Sequence, residues 1–319
     1  MLGTYRRTGM VRTMATWQRV LDRAGITAPA LREDYTLQRR LIAEFERAPY
    51  LAVRLLLPDS VVPHVVAVTA FMHHSDNILD QGSPADRAAA FTDWEKAVRT
   101  ALETGTSDSP VLRALLNTVE SYPQLPGEIE GYLTGAAPHE LNFHGFATEE
   151  DFQAYVDGYS LPAFMLVAGL LAPAEPKYRA LARTFIEAWQ RLDFLDDLAE
   201  DLHRDSRLGL PADALARHGV TRADLEAARP SDGVRELIRE TAALVGDGLR
   251  ASRPLPDLVP PPNRPLIRAL IALQDVRLRA VEKSGLALLH GSARLPVVQA
   301  LRVLAREYAG RGRGRGQLV

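Results

Sequence analysis

Cysteine is absent from the 319 residues, which excludes disulfides, thiolate metal sites, iron–sulfur clusters and a cysteine nucleophile. The 38 basic side chains include only three lysines, Lys96, Lys177 and Lys283, a skew toward arginine to which we assign no function. An excess of one charge is missing too: 38 basic residues face 40 acidic ones, for a formal net charge of −2. That balance argues against nucleic acid as a partner, apart from weak polyanion contact by a short tail. No apolar run reaches the roughly 20 residues of a membrane-spanning helix. The longest, Leu161–Pro173, reads as a buried core helix. Strand-like alternation is nearly absent, and neither G-x-x-x-x-G-K-[ST] nor G-x-G-x-x-G occurs. With 46% hydrophobic and 24% charged residues, what remains is an ordinary globular chain long enough to bury a substantial core.

Arginines near the N-terminus are not followed by an apolar stretch of signal-peptide length, so the expectation is a cytoplasmic protein. Apolar residues recur every three to four positions over most of the chain, with Pro and Gly clusters as punctuation. The pattern predicts helices over Asp34–Glu46, Asp59–Leu79, Pro84–Leu102, Ser109–Tyr122, Pro126–Thr134, Glu149–Leu171, Glu175–Arg204, Arg222–Ala228, Asp232–Leu249, Arg264–Leu289 and Leu295–Ala309. The valines of Val61–Phe71 also suit a strand, but the continuation into Met72–Leu79 keeps helical spacing. The expected organisation is a single all-α domain over residues 1–308, with residues 1–33 as an N-terminal extension and 309–319 as a disordered Gly/Arg tail.

Aspartates spaced four apart carry the candidate chemistry. Asp76 and Asp80 in HHSDNILDQG share one helix face, at the border of an apolar arc made by Val65, Val68, Phe71, Met72, Ile78 and Leu79. In RLDFLDDLAEDLHRDSR, Asp193, Asp197, Asp201 and Asp205 form a ladder, with Asp196 and Glu200 on an adjacent row. Like charges at i,i+4 cost a few tenths of a kcal/mol per pair, so a cation or basic partners should offset them. Asp197 and Asp201 lie nearest the arc of Phe194, Leu195, Leu198 and Leu202, whereas Asp193, Asp196 and Glu200 are expected toward solvent or toward arginines. Magnesium is a hard ion usually shared between carboxylates and phosphate oxygens, so two aspartate-bearing helices facing each other could grip a diphosphate through a metal cluster. One D-x-x-x-D is expected by chance at this aspartate content, and a charged surface helix can produce a ladder. Spacing alone does not separate the two readings.

The context of these motifs adds a resemblance. Gln190–Pro211, QRLDFLDDLAEDLHRDSRLGLP, resembles the second signature of the squalene/phytoene synthase family, with Asp197, Glu200, Asp201, Arg207, Leu210 and Pro211 matching. LLLPDSVVPHVVAVTAFMHHSDNILD resembles its first region, ending in Asp76 and Asp80, and looser similarity runs over about residues 40–305. The resemblance implies the all-α class I isoprenoid synthase fold, a helical bundle around a central cavity. It also implies magnesium-dependent head-to-head joining of two allylic prenyl diphosphates, farnesyl or geranylgeranyl, through a cyclopropylcarbinyl diphosphate. Asp76, Asp80, Asp197 and Asp201 become the catalytic, metal-holding carboxylates around several magnesium ions. Arg207, with His73, Arg204, Gln190, Tyr155 and Phe164, becomes the diphosphate and substrate-binding set. Any reduction with NADPH would have to proceed without a nucleotide fingerprint, and a lipid product would suit peripheral membrane contact.

Several positions depart from the family pattern. Asn77 follows Asp76, and His73 stands where an arginine is common. Arg47, Ala48 and Pro49 stand where small hydroxyl residues are usual. Gly209 replaces an aromatic, and Tyr159, Ser160 and Leu161 replace Val-Ala-Gly. Two alternatives therefore stay open: a divergent member acting as a terpene cyclase or as a prenyl donor to another acceptor, and a non-catalytic binding or assembly protein. His73 and His74 could ligate metal or accept a proton, although magnesium rarely takes imidazole. His139, Glu140 and His144 match no zinc spacing and are expected to be ordinary polar groups. Met165, like Tyr155 and Phe164, is a core residue by default.

Overall fold

The computed structural model of the chain describes residues 16–141, 143–172, 175–204 and 206–311. Contacts group the chain into two compact units, the first Met1–Pro126 with Gly169–Leu171, the second Gly127–Ala168 with Ala172–Val319. Every regular element among the described residues is helical, apart from one isolated parallel bridge between Gly145 and Leu208.

In the first unit, α1 covers residues 16–23, followed by α2 (Pro29–Phe45), α3 (Arg47–Leu56), α4 (Val62–Asp80), α5 (Pro84–Thr104) and α6 (Pro110–Ser121). Proline opens α2, α4, α5 and α6, where its missing N–H has no helical partner to lose. The candidate strand at Val61–Phe71 is helical, as the spacing beyond it required. Tyr35, Leu56, Phe71, Phe91 and Leu115 are fully buried, each side chain stabilising the fold by roughly 1.5–3 kcal/mol. Polar pins cross this core: the Tyr35 hydroxyl meets Thr118 Oγ1 at 2.9 Å, His64 Nδ1 meets the same oxygen at 3.2 Å, and Arg113 donates twice to the buried Asp34.

Residues 16–33, expected as part of an extension, belong to this core. Trp17, Val20 and Leu21 are buried, and Trp17 Nε1 donates to Thr36 Oγ1 at 3.1 Å. The expectations for residues 1–15 and for the tail beyond Arg311 lie outside the described residues. Helix α3 is not among the expected helices, and it carries Pro49. That proline stands in the first turn, where it is tolerated.

The second unit takes in α7 (Leu125–Glu140) from Gly127 onward, then α8 (Glu149–Tyr155), a π-helical turn (Val156–Ser160) and α9 (Leu161–Ala168). It continues with α10 (Pro176–Asp196), α11 (Leu198–Arg204), α12 (Ala212–Arg217), α13 (Arg222–Glu226), α14 (Asp232–Ala251), α15 (Arg264–Ser284) and α16 (Val297–Gly310). Helix α10 packs along α14 at small residues, where a Cβ on Gly248 would fall 2.8 Å from Ala188 Cβ.

The sequence predicts one helix over Glu149–Leu171, but the chain widens into a π turn in the middle. Pro162 has no N–H to offer Gly158 O, and Leu161 N–H instead reaches back to Val156 O. The Gly158 carbonyl points at Gly135 of α7, where a Cβ would lie 1.8 Å from it. A second break divides the expected helix Glu175–Arg204 at Asp197. The bonds from Asp197 N to Asp193 O and from Asp201 N to Asp197 O, both 2.9 Å, carry the i,i+4 register across it.

Candidate active site

In the first unit the motif residues sit on the last turns of α4. Leu79 and Ser75 are buried, Asp76 is half-buried and Asp80 exposed, so the pair lies at the edge of the buried face as the spacing required. Trp94 of α5 fixes this turn by donating to Ser75 Oγ at 2.9 Å, while Ser75 Oγ donates to Phe71 O. The His74 ring lies 4.4 Å from that of Trp94, and His73 packs on Phe45 at 5.1 Å.

The second unit holds the acid ladder. Phe194, Leu195, Leu198 and Leu202 are buried, and Asp197 and Asp201 are half-buried beside them. Asp193 and Asp196 turn to an arginine, one of the two directions the ladder allowed. Arg277 of α15 pairs with Asp193, donates through Nε to Asp196 at 2.9 Å and brings Nη2 to 3.9 Å from Asp197. The other direction, solvent, fails for Asp196. It is 5% exposed, and Ala293 N–H donates to it at 2.7 Å. Ser292 Oγ donates to Asp197 Oδ1 at 3.0 Å, so the loop after α15 holds two successive carboxylates. A cleft of about 420 Å³ opens beside this loop, lined by Glu200, His203, His290 and Ser292 among others.

Burial pushes the Asp193 carboxyl up to about 6 despite Arg277, with Asp197 and Asp196 adding to the rise. Burial also raises Asp197, against Ser292 and Arg277. Burial thus disfavours the charged forms of Asp193 and Asp197, and a nearby cation would favour them.

Arg207 is anchored from both sides. Its N–H donates to Asp201 O at 2.9 Å, and its guanidinium donates to Glu140 O at 3.3 Å with Nη1 3.6 Å from Glu140 Oε2. Tyr155 Oη donates to Glu140 Oε1 at 3.0 Å. Burial holds the Tyr155 hydroxyl well above its ordinary range, so it stays neutral. Segments 143–148 and 207–213 run side by side through Leu208 N to His144 O and Ala212 N to Phe146 O, which sets Arg207 beside the end of α7.

Around Tyr155 the rings of Phe143, Phe146, Tyr159 and Phe194 stand 5.4–5.9 Å away. Gly209 belongs to this wall: a Cβ there would fall 2.1 Å from Phe194 Cγ, so Phe194 fills the space an aromatic at 209 would need. Gln190 Oε1 accepts from Ser160 Oγ at 3.2 Å, and Phe164 packs on Phe185 and Trp189. Met165 is buried, and Arg204 is the last residue of α11. His139 packs on Tyr155. Asp205 and Asn142 lie outside the described residues.

The second unit thus gathers Asp197, Asp201, Arg207, Tyr155 and Gln190 onto or against α10 and α11. Sequence reasoning missed Arg277, Ser292 and Ala293, which contact the ladder from 81 to 97 residues away, and Phe143 and Phe146. No local pattern marks these positions.

The model for squalene/phytoene synthase matches residues 43–301, taking in both aspartate motifs and the ring-lined wall. The chain belongs to the squalene/phytoene synthase family. It is 29% identical over 202 residues to the "Bifunctional protein CrtB/UppS" of Streptomyces coelicolor (strain ATCC BAA-471 / A3(2) / M145), a match covering 60% of this chain and 36% of that protein. The chain thus spans about a third of the length of that curated relative. Among solved structures, squalene synthase HpnC from Alicyclobacillus acidocaldarius superposes with a TM-score of 0.70 at 25% identity, over 84% of this chain and 96% of that one. A dehydrosqualene synthase in complex with ligand reaches 0.78 at 20% identity, over 89% and 98%. The fold is that of the all-α terpenoid synthases of squalene synthase type.

Among the described residues no three His, Asp or Glu side chains form a metal-binding group by themselves. The donors present are pairs of carboxylate oxygens. That set suits magnesium, which keeps several waters and binds through one or two carboxylates plus substrate phosphates.

Proposed function

We propose that this protein is a magnesium-dependent prenyltransferase that joins two allylic prenyl diphosphates, farnesyl or geranylgeranyl, head to head and releases diphosphate. The observation carrying the reading is the acid ladder through Asp197 and Asp201, its Asp197 carboxyl raised by burial, on the flank of a ring-lined wall, in a chain whose family match takes in both aspartate motifs. Asp76 and Asp80 in one unit and Asp197 and Asp201 in the other are the carboxylates assigned to magnesium. When bound, the metal supplies positive charge that stabilises the departing diphosphate.

The chain's own groups do the rest. Arg207, already fixed beside Asp201, offers its guanidinium to diphosphate oxygens as its hold on Glu140 loosens. The rings of Phe143, Phe146, Tyr155 and Phe194 exclude water from an allylic cation once the C–O bond has broken. Neutral Tyr155 offers no anionic oxygen to trap that cation.

The test is to incubate the protein with magnesium and each diphosphate, with and without NADPH, and to quantify released diphosphate and extracted products. Asp76→Asn and Asp197→Asn run alongside. A product of twice the donor's carbon number, lost in both variants, supports the reading. A hydrocarbon or alcohol of the donor's own length would replace it with cyclisation, and no diphosphate release from either donor would overturn it.

A further inference from the structure

The two sides of α16 differ in kind. At about 100° per residue, Ala300, Val303, Leu304 and Glu307 share one arc of the helix. Glu307 is buried and accepts from Arg268 Nε of α15 at 2.7 Å, which pins that arc against the body of the unit. Val297, Val298, Leu301, Ala305 and Tyr308 share the neighbouring arc. Val297 is 62% exposed, Leu301 55% and Tyr308 56%. Single exposed apolar residues are ordinary on a protein surface, but a continuous stripe along a helix is not.

Charge borders the stripe on one side only. Arg302 and Arg306, both exposed, fall on the arc next to it. Residues 294–319 carry six arginines and a single acid, Glu307, whose carboxylate is already held by Arg268. We propose that α16 is an interfacial docking helix that binds this protein to anionic lipid bilayers. Its apolar stripe enters the headgroup boundary, and its arginines lie level with the lipid phosphates.

Other occupants fit less well. Nucleic acid would engage the arginines but leave the apolar stripe in water. A second copy pairing stripe to stripe would bring two arginine-rich arcs together. Spanning is excluded by length: the 14 residues of α16 measure about 21 Å against a hydrocarbon core of about 30 Å. None of the described helices is long and apolar enough to cross a membrane.

The test is flotation of the full chain with phosphatidylcholine vesicles with and without phosphatidylglycerol, at low and high salt. The readout is lipid binding and does not depend on turnover. Binding should be about tenfold or more stronger to the phosphatidylglycerol vesicles and should fall with salt. Leu301→Asp should weaken it about tenfold, as should Arg302→Gln combined with Arg306→Gln, with melting temperatures unchanged because these side chains are exposed. Failure to float with anionic vesicles would overturn the proposal. So would Leu301→Asp binding as well as the parent, which would leave only arginine–polyanion attraction. Self-association in sedimentation that Leu301→Asp abolishes would assign the stripe to a copy interface instead.

Discussion

Two residues show how much of this fold rests on buried polar groups being matched. Asp196 is almost fully enclosed and depends on Arg277 Nε and Ala293 N–H. Arg277→Met removes the first and leaves a carboxylate with one donor, a change that costs about 3 kcal/mol or more when the charge is buried. Urea unfolding should show that loss, and Asp196→Asn in the Arg277→Met background should recover part of it; equal stability of Arg277→Met and the parent would contradict the assignment. His64 gives a pH signature. Burial lowers it from 6.5 to about 4, so the folded chain keeps it neutral while the unfolded chain protonates it below 6.5. Its contribution is complete above pH 6.5 and is lost as pH falls toward 4, a change of about 3 kcal/mol at most. The stability gap between the parent and His64→Gln should therefore shrink between those limits, and a gap that stays constant would show that His64 titrates normally.

Helix periodicity made most elements legible, because apolar spacing and Pro/Gly punctuation are local signals. What it could not show were departures that depend on a partner. The π turn at Val156–Ser160 follows from Pro162 withholding a donor and from α7 offering Gly135 at the point of closest approach. The bridge of Gly145 to Leu208 joins segments with no strand pattern of their own. Two glycines of α7 separate close approach from helix propensity. Gly135→Ala would drive a Cβ to 1.8 Å from a backbone oxygen that has little room to retreat, so we expect a loss of about 1–3 kcal/mol. Gly127→Ala meets nothing within 4 Å and should gain about 0.5–1 kcal/mol from helix propensity. Chemical denaturation of the two variants should give shifts of opposite sign; the same sign in both would mean that the close approach is not what fixes the turn.

At the scale of the whole molecule, the aspartates proposed to hold magnesium stand out in the sequence because carboxylates in a repeating register are a sequence property. The groups that hold them do not, since Arg277 and the loop at Ser292 meet the ladder only after some 80 to 95 residues of intervening chain have folded. The division into two compact units, each with its own carboxylate pair, was not legible either, because it depends on contacts between distant segments. The metal assignment can be tested without turnover. A ligand that binds only the folded state stabilises it by RT ln(1 + [L]/Kd), about 2.7 kcal/mol at a hundredfold excess over Kd. Magnesium alone should give little shift in melting temperature, because no three His, Asp or Glu side chains among the described residues form a metal-binding group without substrate phosphates. An unreactive prenyl thiolodiphosphate alone should also give little, because no divalent cation then bridges its phosphates to the carboxylates of Asp197 and Asp201. The two together should raise the melting temperature by several degrees, and Asp76→Asn and Asp197→Asn should each abolish most of that rise. A full shift with the thiolodiphosphate alone, or one that survives both substitutions, would place diphosphate binding away from the aspartates.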